Sequence, residues 1–194
     1  MKKRLFIIIE FLIYCTFIIL DLNNIDSTYI KYFGVLLCFL NAILNNQTHI
    51  KVALFFTCLA DLFLLVLDKH YTLGVFIFIF AQSTYFYYLS IVDESNFQTF
   101  MGLRLLIIIL GILVLFLIKQ LEILYIFVLI YFSTLILNCL YSYKAKRYLM
   151  ALGFALFICC DICVGLHNLS CNNELVTFLM WVFYLPSQVI LSFS

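Results

Sequence analysis

The chain alternates between eight apolar segments and short polar connections. The apolar segments are predicted at about residues 5–20, 30–44, 51–67, 72–90, 102–118, 121–139, 148–166 and 175–193. Several are shorter than the roughly 20 residues that cross a 30 Å hydrocarbon core, so their helices should extend into the polar flanks. Lipid offers no hydrogen-bond partner to an open backbone, and each crossing must therefore be helical. The pattern predicts an all-α polytopic membrane protein, a bundle of about eight transmembrane helices in a single domain over residues 1–194.

The composition also indicates that the lipid bilayer is the partner of this chain. Of the 194 residues, 66% are hydrophobic and only 11% are charged, whereas about 25% are charged in soluble domains. The net charge of +1, with no basic patch and no glycine-rich phosphate loop, argues against a nucleic-acid partner. One proline and six glycines leave little material for linkers, so we expect no separate soluble domain.

The positions of lysine and arginine predict the orientation. If the N-terminus is cytoplasmic, eight basic residues lie inside and three outside, which agrees with the excess of basic residues in cytoplasmic loops. The outer three are Lys31, Lys69 and Lys119. We therefore expect an integral protein of the cytoplasmic membrane with both termini in the cytoplasm. The basic start followed by an apolar run resembles a signal peptide, but no small-x-small cleavage site follows, and a retained first helix is expected.

Two aspartates interrupt the apolar pattern. Asp61 lies inside the third segment and Asp161 inside the seventh, although a carboxylate at mid-membrane depth costs about 2.5–3.5 kcal/mol. The residues before them are similar, since 53–61 read ALFFTCLAD and 155–161 read ALFICCD. The spacing of 100 positions is compatible with a parallel duplication of a four-helix unit. A structural role would be served more cheaply by serine or asparagine, so a functional role is expected.

The two aspartates are predicted to lie at similar depth. Asp61 is ten residues beyond Lys51, and Asp161 is fourteen beyond Arg147. At 1.5 Å per residue, these distances are about 15 and 21 Å from the inner surface. One shared polar pocket is the simplest explanation for two isolated carboxyl groups at matching depth.

Other polar side chains in apolar segments are candidates for the same pocket. Gln82 and Tyr85 are three residues apart, and Tyr184 and Gln188 are four apart, so each pair shares a helix face. The alternative is that they only join helices, as such residues commonly do in membranes. Glu10, near the inner end of the first segment, is expected to extend its carboxylate to the interface.

The cysteines do not predict a disulfide framework, because seven of the eight lie in apolar segments. Cys160 and Cys163 form a CxxC pattern beside Asp161. A soft-metal site is one interpretation, and small hydrophobic side chains are the simpler one. We expect no metal and no cofactor.

Three stretches resemble the signatures of the YhhN-like integral membrane family, whose characterised members are lysoplasmalogenases. The first comprises Ala60, Asp61, Tyr71, Gly74, Phe78, Ala81, Gln82 and Tyr85. The second is GFALFICCD at 153–161, and the third is YLPSQ at 184–188. Lys31 matches the lysine of a Lys-Pro pair that opens the family's second helix. The chain departs from the family pattern in having Tyr32 for proline, Ala60 for glycine, Gln82 for histidine and Cys160 for serine.

This resemblance implies a hydrolase that cleaves the vinyl ether of a lysophospholipid, lysoplasmalogen, to a fatty aldehyde and a glycerophospho-alcohol. Asp61 and Asp161 would be catalytic, one as a protonated acid and the other as an ionised carboxylate, by the logic of paired carboxyl groups. Lys31 would meet the phosphate. The further substrate-binding candidates are Gln82, Tyr85, Tyr184 and Gln188.

Two other functions remain open at this point, and so does the oligomeric state. Intramembrane aspartates also serve as proton or cation sites in small transporters. A non-catalytic lipid-binding protein is the third possibility, because glutamine at position 82 can hydrogen-bond but cannot carry a proton at neutral pH.

The charge pattern generates a first testable prediction. A reporter fused after Ser194 should report a cytoplasmic C-terminus, and a reporter inserted within 167–174 should report the opposite side. A translocated C-terminus would contradict the eight-span topology.

Overall fold

The computed structural model describes residues 3–44, 48–119, 121–168 and 174–194. Within these ranges it is all-α, as predicted. The eight α-helices are α1 (Lys3–Leu22), α2 (Thr28–Leu44), α3 (Thr48–Asp61), α4 (Tyr71–Val92), α5 (Phe97–Leu117), α6 (Ile123–Lys144), α7 (Tyr148–Asn168) and α8 (Glu174–Leu191). A π-helix, Leu62–Val66, continues α3, and a 3₁₀ turn, Glu94–Asn96, precedes α5. Six of these helical stretches are long and apolar enough to cross a membrane, while α2 and the apolar part of α8 are shorter.

The helices extend beyond the apolar segments, most clearly around the fifth and sixth. Helix α5 begins at Phe97 rather than 102, and α6 ends at Lys144 rather than 139. Both helix ends lie five residues outside the apolar segments, in the direction expected for short segments whose helices extend into the polar flanks. Backbone hydrogen bonding continues through polar residues at the ends of a segment, whereas hydropathy marks only the apolar part.

Six helices enclose the interior of the bundle. In order around it, α2, α3, α4, α6, α7 and α8 each contact the next, and α8 contacts α2. Helix α1 lies outside this ring against α2 and α8, and α5 lies outside it against α6. Phe100 is the only buried residue of α5, so nearly the whole helix is exposed and apolar, as lipid contact requires.

The two halves of the chain repeat this arrangement. Helix α3 of the first half corresponds to α7 of the second, because the similar stretches 53–61 and 155–161 lie on these helices and end in Asp61 and Asp161, 100 positions apart. In each half an outer helix contacts the first of three consecutive ring helices: α1 precedes α2 to α4, and α5 precedes α6 to α8. The ring closes through two equivalent contacts, α4 with α6 and α8 with α2. The structure therefore supports a parallel duplication of a four-helix unit.

The repeat places the two aspartates at equivalent positions of the two halves. Asp61 is on α3 and Asp161 is on α7, 100 positions later along the chain. Each of these helices is the third of its half.

Glycines let neighbouring segments approach closely, as small residues do in membrane helices. A Cβ atom on Gly74 would lie 2.5 Å from Leu64 Cγ, in the π-helix that follows Asp61. A Cβ on Gly34 of α2 would lie 2.8 Å from a methyl of Leu185 on α8. Both contacts bring together helices that surround the aspartates.

Pro186 lies inside α8 and leaves one backbone acceptor without its helical partner. Proline has no N–H, so the carbonyl of Val182, four residues earlier, loses its hydrogen bond. The hydroxyl of Tyr14 on α1 donates to this carbonyl oxygen over 3.3 Å. A side chain from the outer helix thus satisfies the group that proline frees, as lipid cannot.

Glu10 does not extend to the interface, and that prediction was wrong. Its side chain is only 3% exposed, and its Oε1 accepts a hydrogen bond from Cys38 Sγ over 3.6 Å. Glu10 lies on the face of α1 that packs on α2, so the carboxyl group points into the protein.

The contact at Gly74 generates the second prediction. Gly74→Ala should lower the unfolding free energy by about 1–3 kcal/mol, because the added methyl forces Leu64 to move in a packed region. Gly102→Ala is the matched control, since a Cβ there meets nothing within 4 Å. Thermal unfolding of the two variants in detergent measures the difference. Equal midpoints would show that the close approach at Gly74 is not needed.

Candidate functional site

Asp61 is the last residue of α3, immediately before the π-helix. Its side chain is buried, and its Oδ2 accepts a hydrogen bond from the hydroxyl of Tyr184 over 2.6 Å. The π-helix begins at the next residue, and its wider turn is marked by the bond from the Leu67 amide to the Leu62 carbonyl, 2.9 Å long. Single π turns within α-helices are frequent at functional sites.

Asp161 on α7 is held in the same way. Its Oδ2 accepts a hydrogen bond from the hydroxyl of Tyr131 on α6 over 2.6 Å. Tyr131 is buried, whereas Asp161 is half-buried. Each carboxyl group thus has one phenol on one of its oxygens.

One phenylalanine joins the two aspartate–tyrosine pairs. The ring of Phe157 lies 5.2 Å from that of Tyr184 and 6.4 Å from that of Tyr131, centroid to centroid. The Phe157 ring thus contacts both of the tyrosines that hold the aspartates. The structure therefore brings both aspartates into one cluster, formed by α3, α6, α7 and α8.

Lys31 lies beside this cluster in an ion pair. Its Nζ is 2.8 Å from Asp21 Oδ2 and 5.3 Å from the centre of the Trp181 ring. The Trp181 ring in turn packs edge-on against Tyr184, 5.2 Å away. A continuous chain of contacts thus runs from Lys31 through Trp181 and Tyr184 to Asp61. An anionic ligand at Lys31 would have to compete with Asp21.

Gln82 is not bonded to either aspartate. Its side-chain Oε1 and its backbone oxygen each accept a hydrogen bond from Asn138 Nδ2, both over 2.9 Å. The pair joins α4 to α6 and is fully buried. This contact is the helix-joining role that the sequence left open for Gln82.

Tyr85 and Gln188 are also buried without a bond to the carboxyl groups. The Tyr85 ring packs edge-on against Phe154, 5.2 Å away. Gln188 Nε2 donates to the hydroxyl of Ser187 over 3.3 Å. Of the five predicted substrate-binding residues, Tyr184 contacts an aspartate directly and Lys31 reaches one through Trp181.

Sequence reasoning missed Tyr131, Phe157 and Asp21. With 13 tyrosines and 22 phenylalanines in the chain, one more aromatic residue in an apolar segment carries no signal. The repeat could have found Tyr131, because it lies 100 positions after Lys31, as Asp161 lies 100 after Asp61. The two contacts differ, because Tyr131 bonds directly to Asp161, whereas Lys31 pairs with Asp21.

Comparison with known proteins identifies the family. The model described as the YhhN family matches residues 27–194, so the chain belongs to this family and the resemblance is confirmed. The matched range includes α2 to α8 and both aspartates, while α1 precedes it. No curated protein and no solved structure shows significant similarity to the chain.

The two phenol contacts generate the third prediction. Tyr131→Phe and Tyr184→Phe should each lower the unfolding free energy by about 1–3 kcal/mol, because a buried carboxyl group loses a hydrogen bond. Tyr29→Phe is the control, since Tyr29 is 72% exposed. Chemical unfolding in detergent measures all three. If the buried variants are as stable as the control, the phenols do not hold the aspartates.

Proposed function

We propose that this YhhN-family protein is a lysoplasmalogenase-like membrane hydrolase. It would cleave the vinyl ether of a lysoplasmalogen and release a fatty aldehyde and a glycerophospho-alcohol. The observation that carries the proposal is the pair of tyrosine-held aspartates in one cluster inside an apolar bundle. The reaction, as proposed, uses no metal or cofactor.

The first step is proton transfer to carbon. One aspartate, protonated, gives its proton to the alkene carbon that is not bonded to oxygen, and the other alkene carbon becomes an oxocarbenium ion. The second aspartate, ionised, stabilises this cation, and the surrounding tyrosine rings add cation–π attraction. One aspartate of the pair is the acid and the other is the base, and the proposal does not assign either role to Asp61 or to Asp161.

The second step adds water. A water oxygen bonds to the cationic carbon, and the ionised aspartate accepts the proton that the water loses. The hemiacetal then collapses: its bond to the glycerol oxygen breaks, its hydroxyl proton passes to that oxygen, and the aldehyde leaves. Each tyrosine bonds to the Oδ2 of its aspartate, so Oδ1 is the oxygen proposed for proton transfer.

The proposed substrate path follows from the amphiphilic substrate. Lysophospholipid would enter sideways from the lipid, with its phosphate at Lys31 in exchange for Asp21. Gln82, Tyr85 and Gln188 are proposed to line the part of the interior that the rest of the lysophospholipid reaches. In the orientation proposed from the charge pattern, both termini are in the cytoplasm and Lys31 lies at the outer side of the cytoplasmic membrane.

A proton- or cation-coupled transporter is the second candidate. The four-helix repeat favours it, because internal repeats are common in transporter folds and their sites lie at the repeat interface. A non-catalytic lipid-binding protein is the third, since Gln82 replaces a histidine of the family and is engaged with Asn138.

One assay separates these candidates. Purified protein in detergent is incubated with a vinyl-ether lysolipid and, separately, with an acyl lysolipid. Release of aldehyde from the first supports the proposed hydrolase. Release of fatty acid from the second indicates a different hydrolase, and release of neither leaves the transporter and the lipid-binding protein.

The fourth prediction concerns the aspartates. Asp61→Asn and Asp161→Asn should each reduce aldehyde release by about 10²–10⁴-fold, because asparagine keeps the size but can neither donate a carboxyl proton nor carry charge. Asp26→Asn, at an exposed position between α1 and α2, is the charge-matched control. Lys31→Ala should mainly raise KM. If both asparagine variants keep near-full turnover, the two-carboxylate mechanism is wrong.

A further inference from the structure

Several buried polar atoms have no hydrogen-bond partner among the described residues. They are Glu10 Oε2, Gln82 Nε2, Tyr85 Oη, Asn138 Oδ1 and Gln188 Oε1. A buried polar group left without a partner costs about 1–3 kcal/mol, and ordered water is the usual way in which such groups are satisfied. Two of them, on Glu10 and Tyr85, adjoin a line of polar groups that leads to Asp61.

The line begins at Glu10 on α1. Its Oε1 accepts from Cys38 Sγ on α2 over 3.6 Å, while its Oε2 remains unpartnered. The Glu10 side chain is only 3% exposed, although a carboxyl group is costly to bury. An acidic side chain buried at membrane depth is by default a sign of function.

Two thiols continue the line along the seam between α2 and α3. Cys58 Sγ donates to the Val35 carbonyl oxygen over 3.5 Å. Val35 lies three residues before Cys38, and Cys58 lies three residues before Asp61. Residues three apart share a helix face, so the seam carries polar atoms from the level of Glu10 to that of Asp61.

Tyr85 faces the same seam from α4. Helix α4 packs against α3, and Tyr85 belongs to the same buried cluster as Val35 and Cys58. We name Glu10, Cys38, Tyr85 and Cys58 the inner polar track. Two steps of three residues correspond to about 9 Å of helix rise, a length that one or two hydrogen-bonded waters can bridge.

We propose that the inner polar track binds ordered water and is the route by which water reaches Asp61 from the end of the bundle where α3 begins. The inference rests on the proposed function, because vinyl-ether hydrolysis consumes one water in each turnover. The contacts among Lys31, Asp21, Trp181 and Tyr184 reach Asp61 from the other direction, where the proposed function places the phosphate of the substrate. Glu10 precedes the matched range of the family model, so the track extends the site beyond the family signature.

The chemistry of the track fits water better than a cation. A bound hard cation would need six or more oxygen ligands, and the track offers one carboxyl group, one phenol and two thiols. Water needs two to four polar partners. A carboxyl oxygen that accepts and a phenol that both donates and accepts supply them.

The test uses two tyrosines of the unmodified protein. Tyr85 and Tyr141 are 1% and 0% exposed, but the Tyr141 hydroxyl donates to the Asp93 carbonyl oxygen, whereas that of Tyr85 has no partner among the described residues. X-ray radiolysis generates hydroxyl radicals from water bound inside a protein, and mass spectrometry reads the oxidation of each tyrosine. Tyr85 should be oxidised faster than Tyr141. Equal rates would overturn the proposal of bound water, whatever the outcome of the lysolipid assay.

Variants of Glu10 test delivery of the water. Glu10→Leu should lower both the oxidation of Tyr85 and kcat for aldehyde release, each by about tenfold, as loss of one buried hydrogen bond implies. Glu10→Gln keeps a polar group of the same size and should keep both, which separates water binding from a general loss of packing. KM should change little in either variant. If Glu10→Leu lowers Tyr85 oxidation and leaves kcat unchanged, the track binds water but does not deliver it, and the proposed route is wrong.

Discussion

The structure depends on how two carboxyl groups are accommodated inside an apolar bundle. Each would be costly in lipid or against hydrocarbon side chains, and each is instead hydrogen-bonded by a tyrosine from another helix. One bond joins α8 to α3 across the interior of the ring, and the other joins the adjacent helices α6 and α7. Phe157 fills the space between the two phenols, so the pairs form one cluster rather than two separate polar sites.

The duplicated architecture explains why the cluster forms at one level. Two copies of a three-helix arc, closed into a ring by equivalent contacts, place residues at equivalent positions at the same depth. Asp61 and Asp161 are therefore brought to the centre from opposite halves. The equivalence is partial, because the partners of the aspartates differ: Lys31 occupies the position that corresponds to Tyr131. This difference places the Lys31–Asp21 ion pair on one side of the cluster.

Helix α1 contributes more than a membrane span. Its inward face carries Glu10, Tyr14, Phe17 and Asp21, spaced as successive turns of one helix. Glu10 contacts the Cys38 thiol, and Tyr14 donates to the carbonyl freed by Pro186. Phe17 packs against the Tyr14 ring and the Lys31 ammonium, and Asp21 pairs with Lys31. Helix α1 therefore contacts Lys31 through Asp21 and the proposed water route through Glu10, although it lies outside the ring.

The sequence alone determined the helical class and the number of helices, and it singled out the two aspartates as candidates. Hydropathy measures the free energy of transferring each side chain to lipid, and an aspartate in an apolar run differs sharply from its neighbours in that quantity. Only the tertiary structure decided the partners. Tyr131 and Tyr184 look like any other aromatic residue until the helices pack, and Glu10 looked like an interfacial group because hydropathy does not tell which face of α1 meets α2. Hydrogen bonds between helices depend on rotation about each helix axis, and that rotation is fixed by packing.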